Sequence, residues 1–227
     1  MNQKTLIWII SLLIIGLSVF WVAKSAGKEA TDENSQTSFS TQNLSASILQ
    51  NENLEIDWVK GNTSAEITLV EYSDFQCPAC GYYYPFIKQL EEEFGQEIKI
   101  VYRQFPLTAL HANALIAAYA SEAAGLQGKF WEMHDMLFEN QSEWSLDSEP
   151  FTVFLTYALK IGLDTAQFKT DILSQTVADL VKSDVQSGLD LGINSTPSFF
   201  FNGQKLKNLS SYEEFSQPVR AIIEGEE

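Results

Sequence analysis

Residues 66–105 change their hydrophobic period twice, and that alternation constrains the fold more than any other feature of the chain. The run EITLVEY, 66–72, is β-branched, aromatic and mostly apolar, as suits a buried central strand. After the cysteine pair, Phe86, Ile87, Leu90 and Phe94 fall on one helical face. Glu91, Glu92 and Glu93 lie largely off it, and Gly95 is a natural stop. EIKIVYRQF, 97–105, alternates again and reads as a second strand. Strand, helix, strand is a βαβ unit, the seed of an α/β fold.

Both cysteines of the chain, Cys77 and Cys80, sit at the first strand-to-helix junction, in FQCPAC. A zinc site would need two further ligands. The two histidines, His111 and His134, lie far downstream without the spacing of a zinc finger, and each reads as an ordinary helix-face residue. A disulfide across so short a loop staples little. Redox chemistry remains. Pro78 favours the first helical position, which puts Cys77 at the N-cap, against unpaired N–H groups and the positive end of the helix dipole. Both lower a thiol pKa and make Cys77 the nucleophile, while Cys80 points inward one turn later and can resolve a mixed disulfide.

From about residue 107 to 192 the signals are helical only. HANALIAAYASEAAG stops at Gly125, and GKFWEMHDMLFENQ places Phe130, Met133 and Leu137 at helical spacing. Segments follow that start at Ser148 and Pro150, and at Asp164 with Gln167 as a capping-box-like pair; the last of the block stops at Gly192. β character returns in PSFFFNGQKLK, where Asn202–Gly203 signals a hairpin. An amphipathic helix over 210–224 closes the chain, starting at Ser210/Glu213 or Ser211/Glu214, with Pro218 either kinking it or marking its true beginning. The economical reading is a helical insertion, 107–192, inside an α/β domain made of 55–106 and 193–227, its two β halves joined in one sheet with a helix on each face.

Residues 5–23 carry no charge and have Trp8 and Trp21 near their ends. At about 1.5 Å per residue they span the ~30 Å hydrocarbon core, as a transmembrane anchor or, alternatively, a signal segment whose cleavage releases the protein. Residues 24–54 read as a flexible polar linker. Either way the catalytic domain is expected outside the cytosol, on the extracytoplasmic face of the cell membrane. The net charge of −16 argues against nucleic acid as a partner.

Cys-Pro-Ala-Cys between a strand and a helix, the later STPSFFFNG and the helical block together resemble the DsbA-like thiol–disulfide oxidoreductases of the thioredoxin superfamily. The resemblance covers residues 55–227. It implies a thioredoxin-like fold, with Cys77 and Cys80 as the redox pair and Pro78 and Ala79 as the dipeptide that tunes it. Glu71 becomes a buried acid that exchanges a proton with Cys80, and Pro85 the proline that kinks the active-site helix. Pro197, after Thr196, becomes a cis-proline packed against the disulfide. Pro197 follows Cys80 by 117 positions, far more than a bare thioredoxin domain needs, which matches the inserted helices. No metal and no cofactor is implied. The implied function is a dithiol oxidase for exported proteins, with a membrane quinone-linked partner that re-oxidises it. A disulfide reductase or isomerase, or a non-redox chaperone on the same scaffold, are the alternatives. Ala79 stands where strongly oxidising relatives have a histidine, which implies a milder oxidant.

Overall fold

A computed structural model describes residues 57–207 and 210–225. The expected apolar segment 5–23 and linker 24–54 lie outside the described residues. Among the described residues no helix is long and apolar enough to cross a membrane.

Five strands form one sheet in the order β1-β3-β2-β4-β5. They are β1 (Trp58–Gly61), β2 (Ile67–Ser73), β3 (Ile98–Gln104), β4 (Ser198–Phe201) and β5 (Gln204–Lys205). β2 and β3 run parallel and are joined by α1 (Pro78–Phe94), the crossover a parallel pair requires. The other pairings are antiparallel. β4 and β5 meet at Asn202 and Gly203, both at positive φ, 45° and 81°, as a two-residue hairpin demands.

β1 was not foreseen. Four residues are too few to show alternation, and tertiary contacts hold the strand instead. Arg103 of β3 donates through Nε and Nη2 to both carboxylate oxygens of Asp57, at 3.0 and 2.9 Å, and the pair is almost fully buried.

Both faces of the sheet carry helices, as expected, but their assignment differs. Helices α1 and α8 (Tyr212–Glu224) share one face: Ile87 and Leu90 of the first, with Phe215 and Val219 of the second, pack on Leu69, Ile100 and Phe199. Pro218 lies inside α8, which starts where Ser211 Oγ accepts from Glu214 N. The opposite face is covered from the helical block.

That block comprises α2 (Ala114–Gly125), α3 (Phe130–Glu139), α4 (Gln141–Trp144), α5 (Pro150–Lys160), α6 (Thr165–Asp171) and α7 (Gln175–Asp190). Asp164 caps α6 and Ser174 caps α7 with side-chain oxygens. Phe75, Cys80 and Tyr102 of the α/β part share one continuous core with Ala117, Phe130 and Trp144 of the block. Burying each large apolar side chain there contributes roughly 1.5–3 kcal/mol.

α7 approaches the other sheet face closely enough that a Cβ on Gly188 would lie 2.7 Å from the Phe105 ring and 3.2 Å from Tyr72. Alanine favours a helix over glycine by about 0.5–1 kcal/mol. Two core rings cannot yield cheaply, so the clash outweighs this gain. Gly188→Ala should lower the urea-unfolding free energy by about 1–3 kcal/mol; an equal or higher stability would show that α7 does not pack this tightly.

Candidate active site

The cysteine turn is built from the end of β2 onward. Asp74, fully buried, accepts from Gln76 N at 2.8 Å through one oxygen and from Leu107 N at 2.9 Å through the other. Cys77 N donates to Asp74 O at 3.0 Å. Cys77 then takes the N-cap conformation, φ −67° and ψ 122°, with Pro78 in the first turn, as the sequence predicts. Cys77 and Cys80 are free thiols. Cys80 is wholly enclosed, Cys77 is 6% exposed, and Pro78 and Ala79 between them face solvent.

Opposite stands the segment before β4. The Thr196–Pro197 peptide is cis. Cys77 Sγ donates to Thr196 O at 3.4 Å, across 119 positions of sequence. Thr196 Oγ1 is buried with no partner in the dithiol form, and its proton is available to a Cys77 thiolate.

The two thiols are driven apart. The Cys77 pKa falls to about 5. The Cys80 thiol, donating to the Cys77 sulfur, is the main cause; burial opposes it, and the Thr196 hydroxyl and the N–H groups of Cys80 and Ala79 assist. The helix-start argument made from Pro78 therefore holds, but the largest contribution comes from the partner cysteine. Burial pushes Cys80 far up, and Cys77 and Glu71 push it further.

Glu71 lies on the α1 face of the sheet, between Tyr102 of β3 and Phe199 of β4 in the strand register. It is 3% exposed, and burial raises its pKa to about 7, with the Ser73 hydroxyl pulling the other way. At that value the carboxyl can give or take a proton near neutrality. Its neighbours escaped the sequence reading. Ser73, Tyr102 and Gln104 complete a buried polar patch on the same face, and the Ser73 hydroxyl faces Glu71, Cys80 and Tyr102 alike. The readable signal was two polar residues, Ser73 and Gln104, closing the two neighbouring strands, where the register sets them side by side.

Pro85 sits within α1, as expected. The histidines divide. His134 is a helix residue, buried in α3 among aromatic rings, and burial lowers its pKa. His111 is not on a helix face: it precedes α2, and its Nδ1 lies 2.7 Å from Asp74 Oδ2, behind the cysteine turn. Among the described residues, no group of three or more His, Cys, Asp and Glu is gathered to hold a metal ion.

A family model described as Thioredoxin matches residues 53–221. Among curated proteins, the chain is 39% identical over 170 residues to the "Na(+)/H(+) antiporter NhaA 1" of Salinispora arenicola (strain CNS-205), covering 74% of this chain and 25% of that protein. It is 40% identical over 157 residues to the protein of the same name from Mycobacterium sp. (strain KMS), covering 67% and 24%. The chain thus spans about a quarter of the length of the curated relatives it matches. Solved structures agree in fold. Oxidised BdbD from Bacillus subtilis gives a TM-score of 0.68 at 22% identity, covering 76% of this chain and 96% of that one. A thioredoxin-like oxidoreductase from Silicibacter pomeroyi DSS-3 gives 0.65 at 26%, covering 78% and 97%. The alpha-DsbA1 of Wolbachia pipientis gives 0.68 at 21%, covering 79% and 100%.

Two measurements test the electrostatics. Alkylation of Cys77 in the reduced protein should titrate with a midpoint near pH 5, with Cys80 unreactive while the fold is intact; a midpoint near the ordinary thiol value would refute the assignment. Glu71 has a raised folded-state pKa, so its contribution to stability is greatest below its unfolded value of about 4.5 and is lost as pH climbs through about 7. Between pH 4.5 and pH 8, the stability difference between Glu71→Gln and the parent should therefore shift by about 3 kcal/mol in favour of the variant, read from urea unfolding at both pH values.

Proposed function

Since the chain belongs to the thioredoxin family, with the fold of its DsbA-like members, we propose that it is a thiol–disulfide oxidoreductase that introduces disulfides into exported proteins. The observation that carries this reading is the placement of the two sulfurs. Cys77 caps a helix beside Thr196–Pro197 and next to solvent-facing Pro78 and Ala79, while Cys80 is closed off behind it.

In the oxidised enzyme a substrate thiolate attacks Cys77 Sγ, and the Cys77–Cys80 bond breaks. Cys80 leaves as a thiolate and takes a proton, which Glu71 can supply. A second substrate thiolate attacks the substrate sulfur of the mixed disulfide and displaces Cys77. The substrate leaves with one new disulfide, and the enzyme holds two electrons more, with Cys77 as a thiolate and Cys80 protonated. The backbone beside Pro197 supports an extended substrate segment by strand-like pairing.

Stabilising the Cys77 thiolate favours the reduced enzyme and so makes the disulfide oxidising. A pKa near 5 gives roughly 3 kcal/mol at pH 7, about half of that after solvent screening, or on the order of 30 mV. Ala79 offers no side-chain donor to the sulfur, which fits a mild oxidant. On the same reading, residues 5–23 hold the domain at the outer face of the membrane, 107–192 form an inserted helical domain, and a membrane quinone-linked partner restores the disulfide.

The oxidised protein should restore activity to a reduced, unfolded disulfide-containing protein, with Cys77→Ser inactive and Cys80→Ala trapped as a mixed disulfide through Cys77. A reduction potential as low as that of thioredoxin, about −270 mV, would replace the oxidase reading with a reductase.

A further inference from the structure

We propose that Gln141, from the helical block, is a positioning residue for the redox pair: it locks the Cys77 backbone in the conformation that presents its sulfur to the start of α1. The inference rests on the reading of Cys77 as the attacking thiolate and adds a device that sets how well that thiolate is held.

Gln141 opens the four-residue helix α4. Its Nε2 donates to Phe75 O at 2.7 Å and to Cys77 O at 2.9 Å. Both hydrogens of one amide are thus spent on the backbone of the cysteine turn. Cys77 O also accepts from Gly81 N at 3.1 Å, the bond that begins the helix. The torsion ψ of Cys77 is the hinge between the carbon that bears the sulfur and the helix that follows. Holding the Cys77 carbonyl from outside fixes that torsion at 122°. The N–H groups of Ala79 and Cys80 then address the sulfur.

Gly81 is the second observation. It lies inside α1, where alanine would be the better helix former by about 0.5–1 kcal/mol, and its backbone is an ordinary one that any residue adopts. A Cβ there would stand 2.8 Å from Gln141 Oε1. The glycine leaves the space that the clamping amide occupies. Because the obstructing atom is the tip of a flexible side chain, an alanine would push Gln141 aside rather than break the fold.

The turn is tied to the end of α4 as well. Gln76 Nε2 donates to Ser145 O at 2.6 Å, and Gln76 Oε1 accepts from Asn113 N at 2.6 Å. Asn113 Nδ2 in turn holds the carbonyls of Trp144, Ser145 and Asp147. A displacement of α4 is therefore transmitted to the cysteine turn through two side-chain amides, those of Gln141 and Gln76.

The test follows the Cys77 thiolate by its ultraviolet absorbance near 240 nm against pH, in the reduced full chain. The variants are Gln141→Met, which keeps the length and removes the donors, and Gly81→Ala, which keeps the amide and displaces it. Each single change should lower the thiolate fraction on the rising limb about tenfold, moving the midpoint up by about one pH unit. The double variant should go no further than either alone, since both remove the same contact. A parent midpoint near 5 with both single variants unmoved overturns the inference and leaves Cys77 as the nucleophile; so does an additive double variant. A parent midpoint at the ordinary thiol value instead overturns the reading of Cys77 itself. If Gln141 serves only to tie the block to the sheet, its loss lowers the urea midpoint but leaves the native thiolate titration in place.

Discussion

The antiparallel pairing of β2 with β4 is the contact on which the site depends. The two strands come from opposite ends of the α/β part, with the whole helical block between them. Their register, Tyr72 opposite Ser198, places the residue after Tyr72 and the residue before Ser198 at the same end of the sheet. The cysteine turn grows from one and Pro197 from the other. No local signal could bring Cys77 Sγ to Thr196 O; a ladder of main-chain hydrogen bonds does it. That ladder is itself held by Val70, Phe200, Leu69 and Phe201, apolar on both faces.

Around this join, burial creates the chemical asymmetry. The sheet gives Glu71 aromatic neighbours on both sides and no cation, so its carboxyl is neutral more readily than in water. The same enclosure keeps Cys80 protonated. Cys77, at the edge of the same core, gains donors from Cys80, Thr196 and the helix start. One nonpolar environment thus yields a thiol that ionises early, a thiol that ionises late and an acid between them. Fully exposed, all three would sit at their ordinary values and the asymmetry would vanish.

Local features were legible in the sequence. Pro78 and the alternation around it placed β2, α1 and β3 and set Cys77 at the helix start, because N-cap chemistry involves only neighbouring residues. Asn202–Gly203 gave the hairpin for the same reason, and Asp164 marked a real helix start. Pro197 came from family resemblance alone, since its partner is far away in sequence. β1 was missed because what holds it is distant in sequence: the pairing with β3, the stack of Trp58 on Phe130 and the bidentate Asp57–Arg103 pair beside it. Tyr102 and Gln104 were hidden because every residue of β3 is buried, so alternation could not say which side chains meet beneath the cysteines. His111 was read as a helix-face residue because no rule of spacing announces a loop histidine that meets a buried aspartate.

The helical block shares its core with the sheet, and Phe75, Cys77, Cys80 and Tyr102 belong to that core as much as Trp144 and Phe130 do. The cysteine pair therefore has no separable container. Grafting CPAC and Thr-Pro onto a bare βαβ–ββα scaffold would transplant the letters without the wall against which they stand. Conversely, a change of shape within the block is felt at the cysteines, because its side chains are part of the wall behind Cys80.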